Sequence, residues 1–391
     1  MDGKNIISCK PFKSILKKVE LQSDIIIIGG GLAGLTCAID MGLRGHEVLL
    51  IEKKEYPFHK VCGEYVSNEV KPYLQSLGAF PQKLGSKEIN RFQITSPSGK
   101  IAECKMQMGG FGVSRYAFDQ FLFERASELG VKFMLNTTAQ DVSFDENQFS
   151  VKLKDGQSLK ARVVIGAFGK RSVLDKNLDR KFFKHKTNYV GVKHHFRADF
   201  PDDLVALHNF EGGYCGLSKV ENDKVNLCYL TTTEVFKKYK SIEEMEHRHL
   251  SQNPYLRDFL AKATSVFDPL VISQVNFADK ESVVNHMLMC GDAAGLIHPL
   301  CGNGMAMAIH GAKISSGQVD LFLRQKLTRD EMEKRYKEEW SSTFHARLQF
   351  GHAAQGLFEK SKLTEVGVWS LRQFPGMLQR VVRLSHGKEL H

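Results

Sequence analysis

The sequence predicts an α/β protein in which a parallel-sheet domain is interleaved with an antiparallel β-sheet domain and followed by helices. Three observations predict it. Residues 24–52 run from an apolar strand through a glycine turn into a helix and a second strand. A second strand, glycine turn and helix recur at residues 286–312. Between these units lie stretches with the period-two alternation of half-buried strands, and from about residue 328 the pattern turns helical.

Composition narrows the function classes. At 42% apolar and 25% charged over 391 residues, the chain is an ordinary globular protein long enough for two to three packed units. Disordered, collagen-like and disulfide-scaffold classes are excluded. Lys and Arg number 54 against 44 Asp and Glu, a net +10 that favours anionic partners without choosing among them. The eight cysteines are scattered, with no C-x-x-C pair and no zinc-type Cys/His spacing, so no metal is expected and most thiols read as reduced core residues. Lys4, Lys10, Lys13, Lys17 and Lys18 interrupt every apolar stretch of the basic extension at 1–22, which argues against a signal peptide. The apolar run Ile25–Ile39 is broken by glycines and too short to span a bilayer. A cytoplasmic protein is expected, peripheral on a membrane at most.

Ile25–Ile28 is continuously β-branched, as a strand buried on both faces requires. It feeds Gly29-Gly30-Gly31-Leu32-Ala33-Gly34, a G-x-G-x-x-G at the turn into a helix that reads through Leu35, Ala38 and Ile39 and stops near Gly45. Gly29 permits the tight turn, Gly31 lets the backbone approach a pyrophosphate, and Gly34 lets helix and strand pack closely. The pyrophosphate then meets free N–H groups and the positive end of the helix dipole. The strand Glu47–Ile51 ends at Glu52, next to Lys53, with the acid placed to accept hydrogen bonds from a ribose.

The segment His286–Cys290 is another buried strand, ending in Gly291-Asp292. Pro299-Leu300-Cys301-Gly302-Asn303-Gly304 then opens a small-residue helix through Met305, Ala308 and Ala312. An aspartate at a strand's carboxyl end can accept from the ribityl hydroxyls of a flavin. The Gly302–Met305 helix start can present N–H groups to the ring edge where negative charge gathers on reduction. FAD, held without a covalent link, is therefore the expected cofactor.

On these residues the chain resembles the p-hydroxybenzoate-hydroxylase-type FAD-dependent oxidoreductases, and most of all their geranylgeranyl-reductase-like branch, over residues 24–320. The resemblance implies a Rossmann-type FAD-binding domain with a discontinuous antiparallel β-sheet substrate domain. Gly29, Gly31, Gly34 and Glu52 match the family's ADP-binding motif, Gly291 and Asp292 its Gly-Asp motif, and Arg115 an arginine that reaches the pyrophosphate. His59-Lys60-Val61-Cys62-Gly63-Glu64 matches the Cys-Gly element beside the flavin ring, making Cys62 a candidate catalytic thiol. Cys301 falls on the flavin-facing loop, and His298, just before it, is the candidate acid or base. Members that use NAD(P)H usually carry Asp-Gly where this chain has Phe168-Gly169, which leaves nicotinamide use uncertain and allows a separate electron donor. The tryptophan motif of the related halogenases has no counterpart at 211–217, so halogenation is not expected.

The remaining elements follow in order. Residues 91–106 read as a hairpin around Pro97-Ser98-Gly99, and Phe118–Gly130 as an amphipathic helix. Residues 131–165 read as strands with a turn at Lys154-Asp155-Gly156. Residues 188–198 and 204–232 read as long antiparallel strands with a turn at Glu221-Asn222-Asp223. The expected FAD-binding domain is 23–80, 107–180 and 275–327; the substrate domain is 81–106 and 181–274; residues 328–391 form a C-terminal helical region. Its last run places Trp369, Leu371, Phe374, Met377, Leu378, Val381, Val382 and Leu384 among Arg372, Arg380 and Arg383. That run reads either as a helix packed on the body or as a weak membrane-surface contact.

Two activities are consistent with this reading. The leading one is a flavin monooxygenase that hydroxylates a lipophilic aromatic or polyketide-like substrate. The alternative is reduction of a carbon–carbon double bond, as in the isoprenoid reductases. A flavin-less lipid-binding escort module is the non-enzyme alternative, which the intact glycine and Asp292 set opposes. No nucleic-acid motif is present.

Overall fold

A computed structural model describes residues 22–184, 188–273, 275–298, 302–358 and 361–391. The basic extension, apart from Gln22, and Cys301 lie outside them. Among the described residues an eight-stranded sheet has the path order Val283–Val284, Met287–Met289, Ser158–Gly166, Gln22–Ile28, Val48–Ile51, Lys132–Met134. Its central pairings are parallel, with Ile25–Ile28 in register with Val48–Ile51 on one side and Val163–Gly166 on the other. Burial of Ile25, Ile26 and Ile27 on both faces explains their unbroken apolar run. The hairpin Ala139–Asp145 and Gln148–Leu153 extends this sheet through Ser158–Gly166. Helices Leu32–Leu43, Arg115–Glu128 and Gly304–Leu323 pack as a layer against it, and Arg329–Phe358 packs on the last of them.

The second sheet is built from Thr264–Ser265, Tyr189–Arg197, Lys224–Thr232, Gly213–Lys219, Leu204–Phe210, Lys87–Thr95, Ile101–Gly112 and Tyr65–Ser67, with Leu270–Ser273 beside Tyr189–Arg197. Residues 204–232 make three strands, because Gly212, with φ +73°, turns the chain once more than expected. One junction, Leu204–Phe210 with Lys87–Thr95, is parallel within an otherwise antiparallel sheet. Tyr65–Ser67 and the whole of Ile101–Gly112 pair in this sheet, so its hydrogen bonding reaches beyond the boundaries expected at residues 80 and 106.

Alternation gives this sheet two different faces. Val190, Val192, Phe196, Leu217, Leu227 and Tyr229 form one core. It is covered by the short helices Thr233–Phe236, Ile242–Arg248 and Pro254–Leu260, which the period-two reading of this region missed. The opposite face carries Tyr189, Leu207, Tyr214 and Leu230, packed against Phe277 and Leu296 and against Val368 and Leu378 of the C-terminal helices. That face turns toward the nucleotide-type domain.

Candidate functional site

The glycine turn divides its labour. A Cβ at Gly29, where φ is +107°, would lie 2.4 Å from the Ala167 carbonyl oxygen, and one at Gly34 would lie 1.9 Å from the Gly29 oxygen. Both glycines are required by packing. Gly31 differs: a Cβ there meets no backbone, and the nearest atoms are Arg115 Nη2 and Lys60 Nζ, each 3.7 Å away. Two cations thus converge on the point just outside Gly31. The helix Leu32–Leu43 starts there with no side-chain cap, so its first N–H groups face the same point.

Asp119 holds the two cations in place. Its carboxylate accepts from Arg115 Nε at 2.7 Å and Arg115 Nη2 at 2.8 Å, and Lys60 Nζ lies 2.8 Å away. Burial pushes the Asp119 carboxyl up, but Arg115 and Lys60 outweigh it and keep the group below its ordinary range. Lys60 lies in the motif segment quoted above, yet nothing in the motif assigned it a role. Glu52 accepts from the N–H of Gly30 at 2.7 Å and of Lys54 at 3.1 Å, and Tyr56 Oη donates to the Gly30 oxygen at 2.6 Å. Lys53 is exposed to solvent.

Gly291 has φ +62°, and a Cβ there would stand 2.9 Å from Ala33 Cβ, so the two glycine units interlock. Asp292 follows in the short turn Gly291–Ala293, its carbonyl accepting from Lys280 Nζ at 2.7 Å. Burial lowers Lys280 to about 8. Arg115 stands within electrostatic reach of both Asp292 and Cys62. The helix Gly304–Leu323 begins after Gly302, with φ +61°, and also lacks a side-chain cap. Asn303 occupies the cap position, but its amide turns away, donating to the Ser385 oxygen at 2.8 Å and to Glu69 at 3.3 Å. Met305 is buried on the first turn. The backbone N–H groups of this helix start carry no side-chain cap.

Cys62 is half-buried on the loop that meets the second sheet. Asn226 Nδ2 donates to its carbonyl at 3.2 Å, and Ser218 Oγ to that of Gly63 at 3.3 Å. On the facing sheet Gly216 and Cys228 are register partners, both half-exposed and small. His298 is buried, its ring centroid 4.5 Å from Phe277 and 6.1 Å from Tyr214. It therefore lies against the same sheet face as Cys62 but among aromatic rings.

Next to Cys62 sits a charged unit that the motif reading left without a role. Glu64, fully buried with φ +56°, accepts from Lys193 Nζ and, at 2.7 Å, from the Arg115 N–H, and its other oxygen lies 2.6 Å from His195 Nε2. A non-glycine residue in the left-handed region persists only where its surroundings fix it. Burial alone would raise the Glu64 carboxyl, but Lys193 and His195 hold it down to about 2. Lys193 and His195 are two residues apart on Tyr189–Arg197 and so share the face toward Cys62, whereas His194 turns the other way to Glu246. The signal was present in the sequence as two charge-capable residues on one face of an apolar strand. His59 covers the unit: its ring lies 5.4 Å from His195 and stacks on Phe267 at 4.3 Å, and burial with Lys193 lowers it to about 4.

These residues fit FAD. Converging cations, uncapped helix starts, Glu52 and Asp292 provide the donors and acceptors that a pyrophosphate, a ribose and a ribityl chain need.

The comparisons agree. A family model described as "FAD binding domain" matches residues 22–316. The digeranylgeranylglycerophospholipid reductase of Methanocaldococcus jannaschii is 26% identical over 349 residues, covering 84% of this chain and 85% of its own. Conditioned medium factor receptor 1 of Dictyostelium discoideum is 24% identical over 368 residues, covering 82% of this chain and 68% of its own. Among solved structures, a triple mutant of a flavin-dependent brominase superposes with a TM-score of 0.77 at 19% identity, over 93% of this chain and 94% of its own. The "probable FAD-dependent monooxygenase" PqsL of Pseudomonas aeruginosa gives 0.70 at 18% identity, over 89% and 100%. At such identities the superpositions establish the fold.

Proposed function

The chain belongs to the FAD binding domain family and is an FAD-dependent oxidoreductase, and from that premise we propose that it reduces a carbon–carbon double bond of a lipophilic, isoprenoid-like substrate. One observation carries the reading: the Glu64–Lys193–His195 unit, set on the sheet face beside Cys62. When bound, FAD supplies two-electron hydride exchange at its ring. The chain supplies the rest. Gly31, Lys60, Arg115 and the uncapped helix start would hold the pyrophosphate, Glu52 the ribose and Asp292 the ribityl chain. Glu64 positions Lys193 and His195, and one of them is the proposed proton donor to the alkene carbon that does not take the hydride. Tyr189, Tyr214 and Leu230 make the same sheet face apolar beside this unit.

Hydroxylation of a lipophilic ring is the second reading. The same residues bear on it, because donors at Lys193 and His195 would stabilise an ionised ring hydroxyl and so raise the ring's electron density. Dependence on oxygen separates the two: reduction proceeds without O2 and gives a saturated product, whereas hydroxylation stops.

Glu64→Gln keeps the shape of the unit and removes its counter-anion. The alkaline limb of the turnover profile should move to lower pH, with KM little changed. An unchanged pH profile in a folded, FAD-loaded variant would sink the role given to Glu64.

Electrons are proposed to come from a separate reductase. The half-buried Phe168 occupies the turn where the NAD(P)H users of the family carry an aspartate, and its ring packs beside Gly166 and Met289. The substrate is proposed to be met at a membrane surface.

A further inference from the structure

Of the twelve large apolar side chains that are exposed among the described residues, six fall between residues 363 and 384. They belong to the helices Ser361–Gln373 and Pro375–Ser385. Leu363, Val366 and Trp369 follow at spacings of three on the first helix, and Val366 and Trp369 are 61% and 51% exposed. Phe374, at the bend, is 64% exposed, and Met377 and Leu384 follow on the second helix. These helices are fastened to the body by their other sides. Val368 and Leu378 are buried against the sheet, and Glu365 accepts from the Ser98 N–H and hydroxyl, each at 2.7 Å. The apolar stripe is therefore not core that the helices need for packing.

The charge around the stripe names what covers it. Lys362, Arg372, Arg380 and Arg383 are all exposed, and none is in an ion pair among the described residues. Glu365, the one carboxylate of the two helices, is turned to Lys100 and Ser98. Apolar side chains rimmed by unpaired cations match the acyl and anionic headgroup layers of a lipid bilayer. A protein partner would need a complementary acidic rim. A second copy of this chain brings the same positive charge.

We propose that these two helices form a docking face for an anionic bilayer, from which the chain takes its lipophilic substrate. The proposal rests on the reading of a lipophilic substrate and extends it. Val368 and Leu378 share one apolar cluster with Tyr214, Leu230 and Leu296, and Leu296 lies two residues before His298. The inner side of the docking face thus packs on the same sheet face that carries Tyr214 and Leu230.

The test uses the FAD-loaded full chain and vesicles of phosphatidylcholine with or without phosphatidylglycerol. The protein should sediment with the anionic vesicles at low salt and be released at high salt. Trp369→Ser with Phe374→Ser should weaken this binding about tenfold. Arg380→Gln with Arg383→Gln should weaken it by roughly fivefold per arginine and flatten the salt dependence. All four positions are exposed, so retained FAD and an unchanged melting temperature report an intact fold. No sedimentation with anionic vesicles, binding indifferent to both pairs of substitutions, or a dimer that Trp369→Ser with Phe374→Ser dissociates would each overturn the proposal. Turnover of a detergent-dispersed isoprenoid lipid is read in parallel. Vesicle binding without such turnover refutes the reaction while the docking face stands; turnover without vesicle binding does the reverse.

Discussion

At Gly31 a single Cβ separates folding from cofactor binding. Gly31→Ala introduces a methyl that no protein atom approaches within 3.7 Å, at a φ of −88° that alanine accepts. The apoprotein should fold with an unchanged melting temperature, while FAD binds at least about tenfold more weakly because the methyl stands where the pyrophosphate must approach. Gly34→Ala should instead fail to fold, since its Cβ would lie 1.9 Å from the Gly29 oxygen. Melting curves and FAD titration of both variants check the contrast; equal behaviour would contradict it. Phe168 carries a second prediction. NADPH alone should reduce the bound flavin slowly, and Phe168→Asp should speed it only if the missing carboxylate is the sole defect; stopped-flow bleaching measures both. Gly29 and Gly34, where a Cβ would strike the neighbouring backbone, were legible from sequence. Lys60 and Glu64 were not assigned roles, because their partners Asp119, Lys193 and His195 are brought to them only by the fold.

Among the elements, the C-terminal segment does more than cover the body. Glu69, fully buried, accepts from Arg347 Nη1 at 3.0 Å and from the Gly387 N–H, while its carbonyl accepts from the Leu390 N–H at 2.7 Å. Asn303 donates to the Ser385 oxygen and Tyr65 Oη lies 3.0 Å from His386 Nε2. The chain's end is thereby tied to the start of the helix Gly304–Leu323, beside the expected ring edge. Glu69→Ala leaves Arg347 largely buried without its anion and should destabilise the fold by about 3–5 kcal/mol. Chemical denaturation measures this, and a loss below about 1 kcal/mol would mean that the tie carries little weight. Periodicity located the strands of the second sheet because alternate residues, such as Val190 and Val192, face one core. It missed Thr233–Phe236, Ile242–Arg248 and Pro254–Leu260, each seven residues or fewer, whose ends are set by side-chain caps from Thr232, Ser241 and Asn253.

For the whole molecule, two sheets face each other across a loop that carries Cys62, Gly63 and Glu64, and the account makes this junction the place of reaction. The α/β class was legible because two apolar strands, Ile25–Ile28 and His286–Cys290, each run into a glycine turn and a helix. The apposition of Lys193 and His195 to Glu64 was not, since it joins residues 129 and 131 positions apart through packing alone. The most direct measurement is an anaerobic half-reaction. The FAD-loaded protein is reduced chemically, freed of excess reductant and mixed without oxygen with a detergent-dispersed lipid bearing isoprenoid double bonds. The account predicts that the visible flavin band returns and that one double bond is saturated per flavin reoxidised. A flavin that stays reduced until air is admitted, and then yields a hydroxylated product, would contradict it.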